Sequence, residues 1–362
     1  MAVLVRPDLD TTWRWLDVAR HPAAELLLRR AGLEVPWGKG RVAASAELLA
    51  DPALTHAFSM QRDDGSWGID DRADARILST LWVVKTLIEA GLDAAVNQVD
   101  AALTFLAHYA TTSDGYFTIS GTDMGVLPCY VGLAARVFRD AGRGDLVETQ
   151  TQWLTRHQQV SVAGQTRREA AEWGHGLDHR YGGCFSSTSC LIGIVRATEV
   201  WREGDRQEHR DAYACARDVL HERSLAFTRD GKRLLDLPAP ARTPSAWTLP
   251  AFPSDWRVDL IDVIHAVARS PHGADPRAQR AVDVLMASRR EDGSWARGWH
   301  VTSPFLKGFA VAPRGRGNPI ATTRAFVALT LLAPNPEGLG PGAHGPDAAQ
   351  LGGQWRGDLS DD

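Results

Sequence analysis

The strongest constraint on how this chain can fold is a phrase it uses twice. Residues 61–68 read QRDDGSWG, and residues 289–296 read RREDGSWA. A surface turn needs a glycine, but glycine does not call for a tryptophan two positions later, so what recurs is a larger unit. The first copy lies between AELLADPALTHAFSMQ and ADARILSTLWVVKTLIEAG. In the second of these segments Ile77, Leu81, Val84, Leu87 and Ile88 fall at helical spacing, and Gly91 offers a C-cap. The same grammar returns in VNQVDAALTFLAHYATTSDGYF, with Asp114-Gly115-Tyr116-Phe117 at the turn. Next comes LPCYVGLAARVFRDAG, opened by Pro128 and closed by Gly142 as helices prefer.

Further helical segments continue to NPIATTRAFVALTLLA, and alternating strand-like runs are short and isolated. A period of roughly 45–65 residues marks stacked helical hairpins, none of which can bury its apolar face alone. The paired phrases, each directly after a helix, resemble the QW-type repeat of the squalene cyclase and prenyltransferase superfamily. Gln61 matches that motif, whereas Arg289 replaces Gln in the second copy and Phe117 replaces Trp in the third turn. The resemblance implies an all-α fold: an α/α-barrel, or toroid, of five to six helical hairpins with inner and outer helices alternating. The expected organisation is an N-terminal helical extension over 1–50, the barrel over 51–335, and a disordered Gly/Pro-rich tail over 336–362.

Composition narrows the function classes. A net charge of −4 over 362 residues, with no run of Lys and Arg, argues against nucleic acid as a partner. No apolar run approaches the ~18 residues of a membrane span, and the N-terminus lacks a secretory h-region. Four cysteines do not make a disulfide scaffold at this length. The expectation is a cytoplasmic protein acting on a small molecule, with its oligomeric state left open.

In a closed barrel the inner helices, expected to start near Asp74, Pro128, Ser189, Ser254 and Pro319, gather their N-termini at one mouth. Helix N-termini favour anions, so that mouth is the expected site. Asp255, Asp259 and Asp262 fall at i, i+4 and i+7, on one face of a helix that is otherwise apolar. Two close carboxyls do not both ionise readily, so Asp259 backed by Asp255 is the candidate general acid. An ion network with Arg257, Arg76 or Arg324 accounts for the same stripe. Trp82, Trp256 and Trp299 are candidate cavity walls whose π-faces would stabilise a carbocation, and aromatic packing is the alternative. Arg316 and Arg324 are candidate anion anchors, with Asp74 at the first helix start.

Squalene-type cyclases use an Asp-x-Asp-Asp acid motif, and this chain has none; nor has it the Asp-rich D-D-x-x-D of metal-assisted diphosphate ionisation. Three cysteines, Cys129, Cys184 and Cys190, lie at two helix starts, where thiolates are favoured. They could hold zinc or act as reactive thiols, or be small buried residues, as Cys215 is expected to be. Three functions stay open: a terpene-cyclase-like, acid-initiated cyclase or isomerase needing no cofactor; a zinc- or thiol-dependent cyclase or ligase; and a non-catalytic binding scaffold.

Overall fold

The structure, a computed structural model, describes residues 4–158, 160, 190–227, 250–254, 256–268, 275–298, 303–309, 312 and 315–332. These residues form α1 (Asp10–Ala19), α2 (Pro22–Arg30), α3 (Arg41–Leu49), α4 (Pro52–Ser59), α5 (Ala73–Glu89), α6 (Asn97–Tyr109) and α7 (Pro128–Asp140). They continue with α8 (Val147–His157), α9 (Leu191–Trp201), α10 (Gln207–Glu222), α11 (Leu260–Val267), α12 (Gln279–Ala287) and α13 (Pro319–Leu332). Extended pairing among the described residues is confined to two isolated bridges, Thr111 with Phe117 and Ala296 with Gly317. The fold is all-α, as expected.

Burial separates inner from outer helices. Every residue of α9 from Ile192 to Trp201 is buried, and α13 is buried everywhere but Pro319 and Leu331. A helix enclosed on all sides must be mostly apolar, and these sequences are, apart from Arg196 and Glu199 in α9 and Arg324 in α13, which are paired. By contrast α10 buries only His209, Tyr213, Ala216, Val219, Leu220 and His221, the single stripe of an outer helix. The inner helices pack in succession, α5 on α7, α7 on α9, α9 on α11 and α11 on α13.

The ring closes through α2. It packs on α13, and Arg30 at its end donates to Ile88 O in the last turn of α5 at 2.6 Å and to Leu92 O just past it at 2.8 Å. Gly91 makes this junction possible, because a Cβ there would lie 2.4 Å from that of Leu26.

The repeated phrase is the seam between hairpins. In the first copy Trp67 is fully buried, its Nε1 donates to Ala57 O at 2.8 Å, and its backbone N donates to Thr80 Oγ1 at 2.9 Å. The second copy reproduces each contact: Trp295 Nε1 to Leu285 O at 2.9 Å, and Trp295 N to Thr322 Oγ1 at 3.0 Å. The indole therefore ties the preceding outer helix to the following inner one. Each turn is also tied to the next outer helix. Gln61 Nε2 donates to Gln98 O of α6, and Gln150 of α8 donates to Gly115 O, both at 2.8 Å. In the second copy Arg289 stands where Gln61 stands in the first. Its Nη1 donates to Asp8 O at 2.7 Å, and Thr12 of α1 donates to Gly293 O at 2.7 Å.

Thus α1 succeeds α12 as the next outer helix. Residues 10–30, expected within an N-terminal extension, form a sixth hairpin in which α1 is outer and α2 inner. The expected tail, 336–362, lies outside the described residues.

Candidate active site

The segment before α11 carries the decisive carboxyls. Asp259 does not lie inside a helix; it is the N-cap of α11, in extended conformation. Its Oδ1 accepts from Asp262 N at 2.9 Å, while Asp262 Oδ2 accepts from Asp259 N at 3.3 Å. This is a capping box, with aspartate in both roles. The expected helix start near Ser254 and the expected three-carboxylate helical face are therefore corrected. An Asp that satisfies orphan helix N–H groups begins the helix rather than decorating its side. Asp255, the third member, lies outside the described residues, as do Trp299 and Cys184.

Both carboxyls are buried, and their surroundings differ. Asp259 Oδ2 accepts from Ala251 N at 2.7 Å, and Arg324 Nη1 stands 3.6 Å away. Asp262 faces three guanidiniums: Arg324 Nη2 at 2.8 Å, Arg136 Nη1 at 3.4 Å and Arg196 Nη2 at 3.4 Å. Burial pushes the Asp259 carboxyl above the usual carboxylate range, and the negative charge of Asp262 adds to this against the pull of Arg324. Burial acts the same way on Asp262, but Arg196, Arg324, Arg136 and Lys85 overcome it and hold that carboxyl far below the usual range. The pair is split, the Asp259 carboxyl shifted upward and the Asp262 carboxyl held down by its guanidiniums.

Around the pair the barrel interior is ionic. Lys85 Nζ binds Ser254 O at 3.2 Å and Glu89 Oε1 at 2.7 Å, and burial brings its pKa down to about 8. Glu199 is fully buried, with Arg136 Nη1 at 3.0 Å and Arg196 Nη1 at 3.1 Å. Although burial alone would raise its pKa, Arg136 and Arg196 bring it to about 2. Sequence reasoning passed over Lys85, Glu89, Arg136, Arg196 and Glu199. A signal was present: opposite charges at helical spacing, Lys85 with Glu89 and Arg196 with Glu199, inside segments that are otherwise apolar.

Two expected aromatic residues come together through a third. Trp82 and Tyr130 have ring centroids 5.8 Å apart, and Tyr130 and Trp256 have theirs 6.4 Å apart. All three are half-buried, unlike the fully buried seam tryptophans. Tyr130, in the first turn of α7, is the member sequence reasoning missed. Trp256 precedes Asp259 by one short loop, and the Lys85–Ser254 contact holds that loop against α5 one turn from Trp82.

The remaining candidates are scattered. Arg324 is buried in α13, with Asp262, Asp259 and Ala251 O as partners, while Arg316 is exposed. Asp74 pairs with Arg72 at 2.6 Å at the start of α5. Cys129 is buried in the first turn of α7, and Cys190 is the half-buried N-cap residue of α9. Cys215, expected in the core, is exposed on α10. Among the described residues no group of three or more His, Cys, Asp or Glu side chains is arranged to hold a metal ion. Nor is any described helix long and apolar enough to cross a membrane.

No family model matches the chain, and no curated protein matches it. Among solved structures, a protein from Actinoplanes is similar at 16% identity and a TM-score of 0.34, over 79% of this chain and 99% of that one. A type II terpene cyclase, MstE from Scytonema, in complex with geranylgeranyl dihydroxybenzoate, is similar in two variant forms. They give 12% and 11% identity and TM-scores of 0.33 and 0.31, each over 86% of this chain and over 99% and 97% of theirs. At that distance the chemistry has to be argued from this chain's own residues.

Proposed function

We propose that the protein is an acid-initiated cyclase or isomerase, terpene-cyclase-like in its chemistry, working on an apolar or amphipathic alkene. The observation that carries this is the split carboxyl pair, which follows Trp256 of the Trp82–Tyr130–Trp256 rings by one short loop. In this reading the buried Asp259, its pKa raised by burial, acts as the general acid, and three half-buried aromatic faces are a surface over which a cation can move. In the step proposed, the Asp259 proton adds to one alkene carbon and leaves a cation on its neighbour. A second alkene attacks that cation to form a C–C bond, and loss of a proton restores an alkene. The product is an isomer of the substrate, and no cofactor takes part. In this scheme Asp255 backs the acid, Trp82 and Trp256 are cavity walls, and Arg324 serves to keep Asp262 ionised rather than to anchor an anion.

The test is incubation of the protein with linear polyprenes, free and joined to a dihydroxybenzoate, in deuterated water. The expected outcome is a product of shifted retention carrying one deuterium per turnover. Asp259→Asn should lower its formation by about two or more orders of magnitude, the span of a positioned proton donor. Product formed equally well by that variant would remove Asp259 from the role.

One observation favours a second reading. Both Asp259 oxygens accept backbone N–H groups, the arrangement of a structural cap. Under that reading the barrel is a binding scaffold, and no polyprene is converted by the wild-type protein.

A further inference from the structure

Stability alone does not account for the buried charges of the barrel interior. Apolar packing of the same volume often serves a fold as well as a buried ion pair, so what such a pair adds is direction. Lys85 and Arg196 are 1% and 0% exposed, and each binds both within the ionic cluster and outside it. Within it, Lys85 Nζ meets Glu89 Oε1 at 2.7 Å, and Arg196 Nη1 meets Glu199 Oε2 at 3.1 Å. Outside it, both cations reach the same stretch of chain, the one that leads into α11.

Lys85 donates to Ser254 at its backbone oxygen, at 3.2 Å, and at Oγ, while Arg196 Nη2 donates to Arg257 O at 2.6 Å. Ser254 and Arg257 stand on either side of Trp256 in the chain, so the two cations grip the backbone before and after that residue. The rest of the stretch is tied as well. Gly298 N donates to Pro250 O at 2.7 Å, Ala251 N donates to Asp259 Oδ2 at 2.7 Å, and Arg324 Nη1 donates to Ala251 O. Among these ties the Lys85 one alone leads to α5, the helix that carries Trp82 one turn earlier. The ring spacings of 5.8 Å from Trp82 to Tyr130 and 6.4 Å from Tyr130 to Trp256 therefore depend on where Lys85 sets the Trp256 backbone against α5.

We propose that Lys85 is a positioning residue for the cyclisation: by holding Ser254 on α5 it sets where the Trp256 ring lies relative to Trp82 and Tyr130. The inference rests on the acid-initiated reading of the function, in which those rings steady the cation. Lys85 does not touch the reacting atoms; it acts through Trp256, and Glu89 at its other side fixes the direction of the ammonium. An aromatic face attracts a cation only within about 6 Å of the ring centroid, so a small displacement of the Trp256 ring weakens its hold.

The test is Lys85→Met in the full chain, with Ser254→Ala as a milder variant that removes only the hydroxyl and keeps the Lys85–Glu89 pair. Trp256 is followed by fluorescence, as the difference between each protein and the same protein carrying Trp256→Phe. In Lys85→Met that emission should shift to the red and be quenched more by acrylamide, and in Ser254→Ala it should move the same way by less. The kcat for a polyprene should fall about tenfold to a hundredfold in Lys85→Met with KM little changed, the sign of an interaction realised in the transition state. A loss of stability alone would lower the amount of folded protein and leave the emission of folded Trp256 as it was. Should Lys85→Met not fold, the emission and kcat of Ser254→Ala decide. Unchanged Trp256 emission overturns the proposal, and so does altered emission with kcat at the wild-type value. A wild-type protein that converts no polyprene removes the cyclase reading and with it the part of Lys85 in turnover, while the emission still decides whether Lys85 places Trp256.

Discussion

The ring is held together in two different ways, at its seam and in its interior. At the seam, Trp67 and Trp295 make the same neutral hydrogen bonds to a helical carbonyl and to a threonine hydroxyl. Nothing in these contacts reaches beyond adjoining hairpins, so the device can be copied. In the interior, Arg136 of α7 contacts Glu89 of α5, Glu199 of α9 and Asp262 of α11. Such an ion is meaningful only where several particular helices meet, and no second copy of it exists among the described residues. Local, neutral contacts repeat with the hairpin, while buried charges belong to the closed ring, because each needs several partners once water is gone.

The comparison can be broken most forcefully at the seam. Trp67→Ala and Trp295→Ala each remove a fully buried indole, and each should cost about 3–5 kcal/mol in urea unfolding. The two losses should be similar, since the two environments are. A negligible effect in either copy would mean that the seam there is held by something else.

In the interior, Arg196→Met leaves Glu199 and Asp262 short of a counter-charge and should cost about 3 kcal/mol. Its pH dependence identifies the mechanism. Glu199 has a pKa near 2 in the fold against 4.5 when unfolded, so the unfolded chain binds more protons between those values. The stabilisation it gives is complete above pH 4.5 and is lost as pH falls toward 2. Asp259, with its raised pKa, works in the opposite direction. Without Arg196 the folded-state pKa of Glu199 moves up, and the acid-side slope contributed by Glu199 flattens. Unfolding free energies measured from pH 3 to 7 should show that flattening. An unchanged slope would separate Arg196 from Glu199.

The smallest effect sharpens the comparison. Thr80→Val and Thr322→Val each remove the hydroxyl that accepts the tryptophan N–H, and each should cost about 1–2 kcal/mol. Combined, they should add within about 0.5 kcal/mol, as independent repeats do. Strong coupling between them would show that the seam is not modular.

How far the sequence could be read follows the same division. The turns were legible because Asp-Gly-Ser-Trp spells out local requirements. Gly65 and Gly293 adopt φ of +85° and +88°, and a Cβ at either would strike the next outer helix. Arg289 in place of Gln was legible as a departure, but not as a contact with α1, since that partner stands at the other end of the chain. The carboxyls were found, yet their arrangement was misread. Helical spacing placed Asp255, Asp259 and Asp262 on one face, whereas a capping box started the helix at Leu260 and turned two of them toward each other. Cys215 was assigned to the core because cysteine is usually buried, and α10 turns it outward.

By itself the sequence determined an all-helical chain of hairpins, their period, and the turns that join them. These depend on residues close together in the chain, where periodicity and backbone conformation act directly. Only the tertiary structure decided that α1 and α2 close the ring, and that Lys85, Arg136, Arg196, Glu199 and Asp262 share one ionic cluster. It alone decided which of two neighbouring aspartates has its pKa raised and which has it lowered. Those outcomes rest on burial and on charges brought together from distant helices, and no local pattern carries that information.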